Sequence, residues 1–364
     1  MRLLALAPGD PGRTPPAAET APGRPDLRRA APWISAAALL AALLLSLRCG
    51  KLALPFGTEV RMLAWRLFGI GRPTWPAASA AVLFSIRLPR LTLGALTGGA
   101  LALAGTGYQG LFRNPLADPY LVGVASGAGL GAVLAFVLPL PAGLYGLGIV
   151  QVMAFLGALG AVGLVYAMAW RGRGAPTGTL ILSGVAVAAL ANAGTSYLLY
   201  RHGERLQTVY GWLLGGLNSA TWSDAALIAP AILASALILI LHGRVLNALQ
   251  LGEEQTASVG VNVERARLLI VCAATLATAA AVSVSGLIGF VGLIVPHAAR
   301  MLFGADHRRL LPVSALLGAA FLVTADAGAR SMPGVSELPV GVVTAACGAP
   351  FFLMLLHLRR RETD

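Results

Sequence analysis

The stretch RLPRLTLGALTGGALALAGTGYQGLFRNPLADP, residues 87–119, indicates the fold of this chain more clearly than any other. It opens with Arg87 and Arg90 around a Leu-Pro pair and ends in a polar turn that contains Asp118. Between them lie about twenty residues without a charge, the length that an α-helix needs to cross the hydrocarbon core of a bilayer. The stretch therefore predicts a transmembrane helix whose entry is marked by two arginines.

The composition of the whole chain supports a membrane protein. Of its 364 residues, 57% are hydrophobic and 12% are charged, whereas soluble domains average about 25% charged residues. Uncharged runs of this length favour helices over a barrel, whose strands need only about ten residues of alternating polarity. The 44 glycines suit helices that pack with their backbones close together. We therefore predict an all-α, polytopic membrane protein.

Ten uncharged runs predict ten transmembrane helices. An even number places both termini on the same side, and the larger share of Arg and Lys on one set of connections favours a cytoplasmic N terminus. The eighth run is interrupted by Pro296 and Arg300, so counts of nine or eleven stay open. The runs are Trp33–Leu47, Leu91–Leu111, Tyr120–Leu138, Tyr145–Trp170, Thr179–Tyr200, Ala225–Leu241, Leu268–Ser285, Gly286–Phe303, Leu310–Ala325 and Val340–Leu356.

The two ends of the chain differ from this apolar body. Residues 1–30 hold six prolines and several arginines, which is typical of a disordered basic tail, here placed in the cytoplasm. Residues 31–358 contain all ten runs and are predicted to form one membrane domain. Residues 359–364 are predicted to form a short charged C-terminal tail.

Several classes of function find no support in the sequence. There is no GxxxxGK[ST] motif, and the single lysine, Lys51, falls in a predicted external connection, so no nucleotide-hydrolysing P-loop is expected. The three cysteines and five histidines are isolated, which predicts no metal site, no disulfide framework and no catalytic constellation. The net charge of +12 is spread between the apolar runs, as positive-inside topology requires, and does not indicate nucleic-acid binding.

Asp326 is the one acidic residue near the interior edge of a predicted span. A carboxylate there would suit a proton-coupled carrier. However, Arg330 follows at the i, i+4 spacing, and a helix-end ion pair is the simpler interpretation. A proton-coupled secondary carrier and a membrane enzyme that acts on a lipid stay as alternatives to a transporter powered by a separate subunit.

Six motifs between residues 80 and 358 together resemble the FecCD-type permeases, the membrane subunits of bacterial ABC importers for iron–siderophores, haem and vitamin B12. They are RLPR, QGLFRNPLADPYLVGVASGAGLGA, LGEEQTASVGV, GLIGFVGLIVPHAARMLFGADHRRLLP, TADAGAR and ELPVGVVTAACGAPFFLMLL. The resemblance implies a BtuC-like type II importer fold with ten spans and both termini in the bacterial cytoplasm. It implies a non-enzymatic permease of the cytoplasmic membrane that moves a metal chelate, with an iron–siderophore favoured over vitamin B12 or haem.

The resemblance also implies the partners of the chain. Family members form homodimers in the bilayer, and two separate ATP-binding cassette subunits hydrolyse ATP with magnesium below them. A periplasmic or lipid-anchored substrate-binding protein docks above. The chain itself is therefore expected to bind no cofactor, no metal and no nucleic acid.

Residue roles follow from the same resemblance. Arg87, Arg90 and Arg330 match the family's arginines that dock the binding protein, and an exposed guanidinium can hold a carboxylate through two hydrogen bonds. On the cytoplasmic side, a short polar helix between two glycines resembles the segment that couples to the ATPase. Its residues are Gly252, Glu253, Glu254 and Gly260. Thr177 and Gly178 fall where the family has its cytoplasmic gate.

Overall fold

The structure is a computed structural model that describes residues 27–50, 54–139, 141, 148–170, 172, 175–332 and 337–360. Most of the predicted N-terminal tail, Lys51 and the last four residues lie outside the described residues. The first helix begins at Leu27, a few residues before the predicted end of that tail.

The described residues are helical, in agreement with the predicted all-α class. In chain order the helices are α1 Leu27–Arg48, α2 Phe56–Phe68, α3 Ala77–Leu111, α4 Val124–Val137, α5 Ile149–Ala169, α6 Thr177–Arg201, α7 Leu206–Leu213, α8 Trp222–Leu241, α9 Gly243–Leu249, α10 Glu253–Ser258, α11 Val263–Ser285, α12 Val291–Phe303, α13 His307–Ser331 and α14 Val340–Arg360. Helix α3 contains one π-helical segment, Val82–Arg87, immediately before its apolar part.

Each predicted apolar run coincides with one of these helices. Within the described residues, seven helices are long and apolar enough to cross a bilayer, and three shorter apolar helices complete the set. The seven are α1, α3, α5, α6, α8, α11 and α13, and the shorter three are α4, α12 and the apolar part of α14. The protein is therefore a multi-pass membrane protein.

Helix α3 lies at the centre of the bundle because its glycines allow other helices to touch its backbone. A Cβ atom at Gly98 would collide with the carbonyl oxygen of Gly318 on α13, and one at Gly105 would collide with that of Gly292 on α12. Small residues allow this approach in a bilayer, where helices associate through van der Waals packing. Nearly all of α3 from Pro89 onward is buried as a result.

The chain breaks its helical path between α11 and α12. Residues 286–290 are non-helical, and Phe290 adopts a left-handed conformation with φ of 69°. Neighbouring segments satisfy this backbone: Tyr120 donates its hydroxyl hydrogen to the carbonyl of Ile288 at 2.9 Å, and the amide of Gly216 donates to Ser285 at 2.8 Å. Irregular backbone is tolerated at membrane depth only when protein groups pair with it in this way.

The bundle has two polar ends, which α3 connects. Arg90 and Gly110 lie near the two ends of α3, about 30 Å apart along its axis at 1.5 Å per residue. The RxPR end carries Arg87, Arg90, α2 and the junction of α13 with α14. The coupling end carries α9, α10 and the starts of α6, α11 and α13. These two ends contain all the residues to which the sequence assigned a role.

Candidate functional site

Arg90 is the centre of a buried ion network at the RxPR end. Its guanidinium donates to Asp326 of α13 at 2.8 Å and to Glu337, just before α14, also at 2.8 Å. The same group donates to the side-chain oxygen of Asn218 at 3.2 Å. Arg90 therefore joins α3 to the segment around Asn218 and to the junction of α13 with α14.

Arg330 shares Asp326 with Arg90. Its Nε donates to Asp326 at 3.0 Å, which confirms the i, i+4 ion pair expected from the sequence. The rest of its guanidinium ties α13 to the end of α1, because it donates to Ser46 Oγ and to the carbonyl of Cys49, both at 2.6 Å. A single carboxylate thus lies between two guanidinium groups.

Arg87 forms a separate pair with Glu59, which α2 directs into the protein. The guanidinium of Arg87 donates to Glu59 and also to the carbonyl of Leu47 at 2.6 Å. Glu59 is 1% exposed, and this burial raises the pKa of its carboxyl, while the neighbouring Arg87 opposes the rise. The pair fixes α2 to the end of the bundle.

The expectation that these arginines are exposed is wrong. Arg87 and Arg90 are each 6% exposed, and the side chain of Arg330 is 8% exposed. The physical reason is that Glu59 and Asp326 place carboxylates inside the protein, where a buried guanidinium requires partners, and the partly exposed Glu337 adds a third. The three arginines and Glu337 line a cavity of about 160 Å³. Their role in docking a partner stays a prediction.

Other arginines at this end do face outward. Arg61 and Arg66 on α2 are exposed, and so is Arg72 in the following loop. Sequence reasoning noted only that this connection is basic. The sequence of α2 did indicate which side of this helix is buried. Glu59 and Met62 are three residues apart, so they lie on one face, and they are the two buried positions of the helix.

The coupling end has the predicted short helix between two glycines. Gly252 and Gly260 have φ of 121° and 85°, conformations that favour glycine, and α10 lies between them. Glu253 and Glu254 occupy its first turn, and both are exposed. The hydroxyl of Thr256 donates to the carbonyl of Ala248 at 2.8 Å, which fixes α10 to α9.

Helix α9 is held by polar contacts that sequence reasoning missed. Gln250 donates to the carbonyl of Gly110 at 2.7 Å, at the end of α3. Asn247 donates to Asp306 at 2.6 Å, and its side-chain oxygen accepts the backbone N–H of His307 at 2.9 Å. The hydrogen bond from Asn247 is the main reason that the pKa of Asp306 lies below its ordinary value. The Asn247–Asp306 and Gln250–Gly110 pairs could not be predicted from the sequence, because their members lie 59 and 140 residues apart.

Arg267 connects this end to the predicted gate. It is 3% exposed, and its guanidinium donates to Glu253 and to Glu264, each at 2.6 Å. The same group donates to the carbonyl of Ala175 at 3.1 Å. Ala175 precedes Thr177, the first residue of α6, by two positions.

The gate residues themselves form no cluster. Thr177 is half-buried, Gly178 is exposed, and a Cβ atom added at Gly178 would meet nothing within 4 Å. In the part of the chain that the structure describes, Ala175 connects the start of α6 to the coupling segment through Arg267.

Comparison with known proteins places this geometry in a family. The FecCD transport family matches residues 38–358, which include both polar ends, the second half of α1 and the other nine apolar helices up to residue 358. The chain belongs to the FecCD transport family. It is similar to the cobalamin import system permease protein BtuC of Halobacterium salinarum, with 43% identity over 91% of this chain and 97% of the relative.

Two further comparisons agree with that membership. The hemin transport system permease protein HmuU of Yersinia pestis is 44% identical over 77% of this chain and 84% of the relative. A solved structure described as an inward-facing conformation of a putative metal-chelate type ABC transporter matches with a TM-score of 0.78 and 31% identity. That match covers 90% of this chain and 98% of the solved chain. The TM-score confirms the type II importer permease fold.

FecCD membership defines the chemistry of the chain in outline. It is the permease of an ABC importer, a transport subunit whose ATPase is a separate subunit. Among the described residues, no group of three or more His, Cys, Asp or Glu side chains is placed to hold a metal ion. The buried contacts described at the two polar ends join helices of the chain to one another.

Proposed function

We propose that this FecCD permease carries a metal chelate across the cytoplasmic membrane as a homodimer. Two ATP-binding cassette subunits contact its coupling end, and a substrate-binding protein docks at its RxPR end. Both termini lie in the cytoplasm. The single observation that carries the proposal is the exposed coupling segment, whose geometry is that of a contact surface.

That segment presents charge and apolar surface together. Glu253 and Glu254 are exposed on α10, while Leu251 and Val259, on either side of the helix, are 72% and 71% exposed. Exposed apolar side chains beside charges are typical of protein contact sites. An ATPase subunit that closes on ATP would press on this segment first.

We infer that the cargo is a tetrapyrrole chelate, cobalamin or haem. The two relatives with 43% and 44% identity are named for cobalamin and hemin, and the matching solved structure is described as a metal-chelate transporter. This inference departs from the iron–siderophore that the sequence resemblance favoured. A ferric siderophore remains the alternative to be compared directly.

The test is reconstitution in liposomes with the ATPase subunit and binding protein of the same importer. We expect ATP-dependent accumulation of labelled cobalamin or haem. No accumulation is expected without the ATPase, or when the lysine of the ATPase P-loop is replaced, because that lysine reaches the phosphates of ATP. The same vesicles are offered a ferric siderophore at equal concentration.

Each outcome has a defined meaning. Uptake of the siderophore alone would correct the cargo while keeping the importer. Accumulation by the chain without any ATPase, driven by a pH gradient, would make it a proton-coupled carrier and overturn the proposal.

A further inference from the structure

We propose that Arg267 is a positioning residue that links the ATPase-facing helix α10 to the start of α6, so that displacement of α10 moves the cytoplasmic gate. The inference rests on the proposed function, since it assumes that α10 is the segment on which the ATPase acts. Neither the sequence motifs nor the comparisons assign a role to this arginine.

The first argument is the cost of burying the charge. Arg267 is 3% exposed and lies near the start of α11. A buried guanidinium costs several kcal/mol unless its hydrogen bonds are satisfied, and removal of one partner from such a pair is strongly destabilising. Arg267 therefore stays with its partners while the protein changes conformation.

The second argument is where those partners lie. Glu264 is on the helix of Arg267 itself, three residues earlier, and gives a fixed reference. Glu253 is the first residue of α10, and the carbonyl of Ala175 belongs to the segment that enters α6. One planar group thus holds two segments that are 78 residues apart in the sequence. Arginine suits this task because its donors form a rigid fork.

The third argument is how α10 is otherwise attached. Its buried Thr256 bonds to carbonyls of Ala248 and Gly252, both in the segment that leads into α10. Glu253 also lies 3.8 Å from Arg113 at the end of α3, but both of these side chains are about half exposed. Among the described side-chain contacts, the 2.6 Å ion pair of Glu253 with the buried Arg267 is therefore the short connection from α10 into the bundle.

These contacts predict how motion is transmitted. If the ATPase shifts α10, Arg267 keeps its hydrogen bonds to Glu253 and to the carbonyl of Ala175. Ala175 then moves in the same direction as α10. Thr177, two residues on, begins the helix at which the gate is predicted. Loss of the link would leave α10 free to follow the ATPase without moving α6. ATP hydrolysis would then continue while transport stopped.

The experiment compares Arg267→Gln, Glu253→Gln and the double variant in liposomes with the ATPase subunit and binding protein. Arg265→Gln is the matched control, because Arg265 is on the same helix and exposed. The readouts are the amount of folded complex, the affinity for the ATPase subunit, the rate of ATP hydrolysis, and the chelate transported per ATP hydrolysed. Glu254→Gln reports the effect of losing a neighbouring charge on α10.

We expect both single variants to reduce chelate transported per ATP by about tenfold, within the usual range for coupling between sites. The double variant should be no worse than the worse single variant, since both remove the same contact. ATP hydrolysis and ATPase affinity of the Arg267→Gln variant should stay within twofold of the unaltered protein, because Arg267 is buried and does not belong to the exposed contact surface. Arg267→Lys, which keeps the charge without the fork, should restore part of the ratio.

Three results would overturn the inference. One is a normal transport-to-hydrolysis ratio in Glu253→Gln, the variant that leaves Arg267 with Glu264 and Ala175. Another is that Glu253→Gln and Glu254→Gln weaken ATPase binding equally and change the chelate transported per ATP equally. That result would assign Glu253 to ATPase docking alone. The third is a loss of transport that only follows the amount of folded protein. Failure of the proposed function is separate, because the unaltered protein would then show no ATP-driven uptake.

Discussion

The two polar ends use the same chemistry for different mechanical purposes. At the RxPR end, Arg90 joins α3 to α13, two long helices that also touch backbone to backbone at Gly98 and Gly318. At the coupling end, Arg267 joins the long helix α11 to the short, exposed α10. A buried guanidinium between rigid helices locks them, whereas the same group between a rigid and a surface helix transmits movement.

The largest effect is expected from breaking the ion network of Arg90, Asp326 and Arg330, which locks α3 to α13. Asp326→Asn removes the charge that two buried guanidinium groups share, so it should lower the free energy of unfolding by about 3–5 kcal/mol. Thermal unfolding in detergent measures this change. Glu337→Gln is the control, because Glu337 is about one-third exposed and Arg90 keeps Asp326. Equal stability of the two variants would contradict a lock centred on Asp326.

A smaller effect is expected from Asp306 at the coupling end, because this residue is exposed. Asp306 caps α13 by accepting the backbone N–H of Arg308 at 3.0 Å. Asp306→Ala should therefore cost about 1 kcal/mol, the usual value of such a cap. A loss as large as that of Asp326→Asn would show that the two ends are held equally firmly.

The pH dependence of that variant gives an independent check. The pKa of Asp306 is lowered by Asn247 first and by other contacts after it, so its carboxylate stabilises the folded state at neutral pH. This contribution is present above the ordinary pKa of aspartate, about 3.9, and is lost as the pH falls through the lower value in the folded protein. The stability difference between the unaltered protein and Asp306→Ala should shrink over that range and stay constant above it.

The smallest effect tests whether Arg90 also binds a carboxylate of the substrate-binding protein. Glu337 competes with any incoming carboxylate for Arg90, and Asp326 satisfies Arg90 without it. Glu337→Gln should therefore tighten binding of the substrate-binding protein about threefold, chiefly at low salt, where charge interactions are least screened. Calorimetry with permease in nanodiscs measures the affinity. Unchanged affinity, together with weaker binding by Arg61→Glu, would move docking to the exposed arginines of α2.

The helices of this protein were predictable because each span is a long run of apolar residues, and lipid requires such runs to be helical. Even the eighth run, with Pro296 inside it, forms a helix, although only from Val291. The short coupling helix was predictable from Gly252 and Gly260, since glycine permits the conformations that begin and end it. The backward extension of α3 to Ala77 was not, because Arg87, Pro89 and Arg90 separate these uncharged residues from the apolar run that follows.

The site was predicted less completely, for a physical reason that particular pairs illustrate. The RxPR motif singled out Arg87 and Arg90, and both form ion pairs in the structure. Whether their side chains are exposed depends on partners that lie 28 and 236 residues away in the sequence. Among the described ion pairs of Arg87, Arg90 and Arg330, the Asp326–Arg330 pair is the one that is local on a single helix, and it was the pair predicted from the sequence. Arg267 was missed because Glu253 and Ala175 approach it only in the folded bundle.

The break before α12 bears on how the chain enters the membrane. A helix of 13 residues is about 20 Å long, shorter than the hydrocarbon core of about 30 Å, and Pro296 and His297 lie in its middle. Such a segment has little affinity for lipid by itself. In the folded protein α12 packs against α3, where Gly105 meets the carbonyl of Gly292 and Gln109 donates to the carbonyl of Leu293 at 3.1 Å. Stable insertion of α12 is therefore expected to need α3, which the ribosome completes about 180 residues earlier.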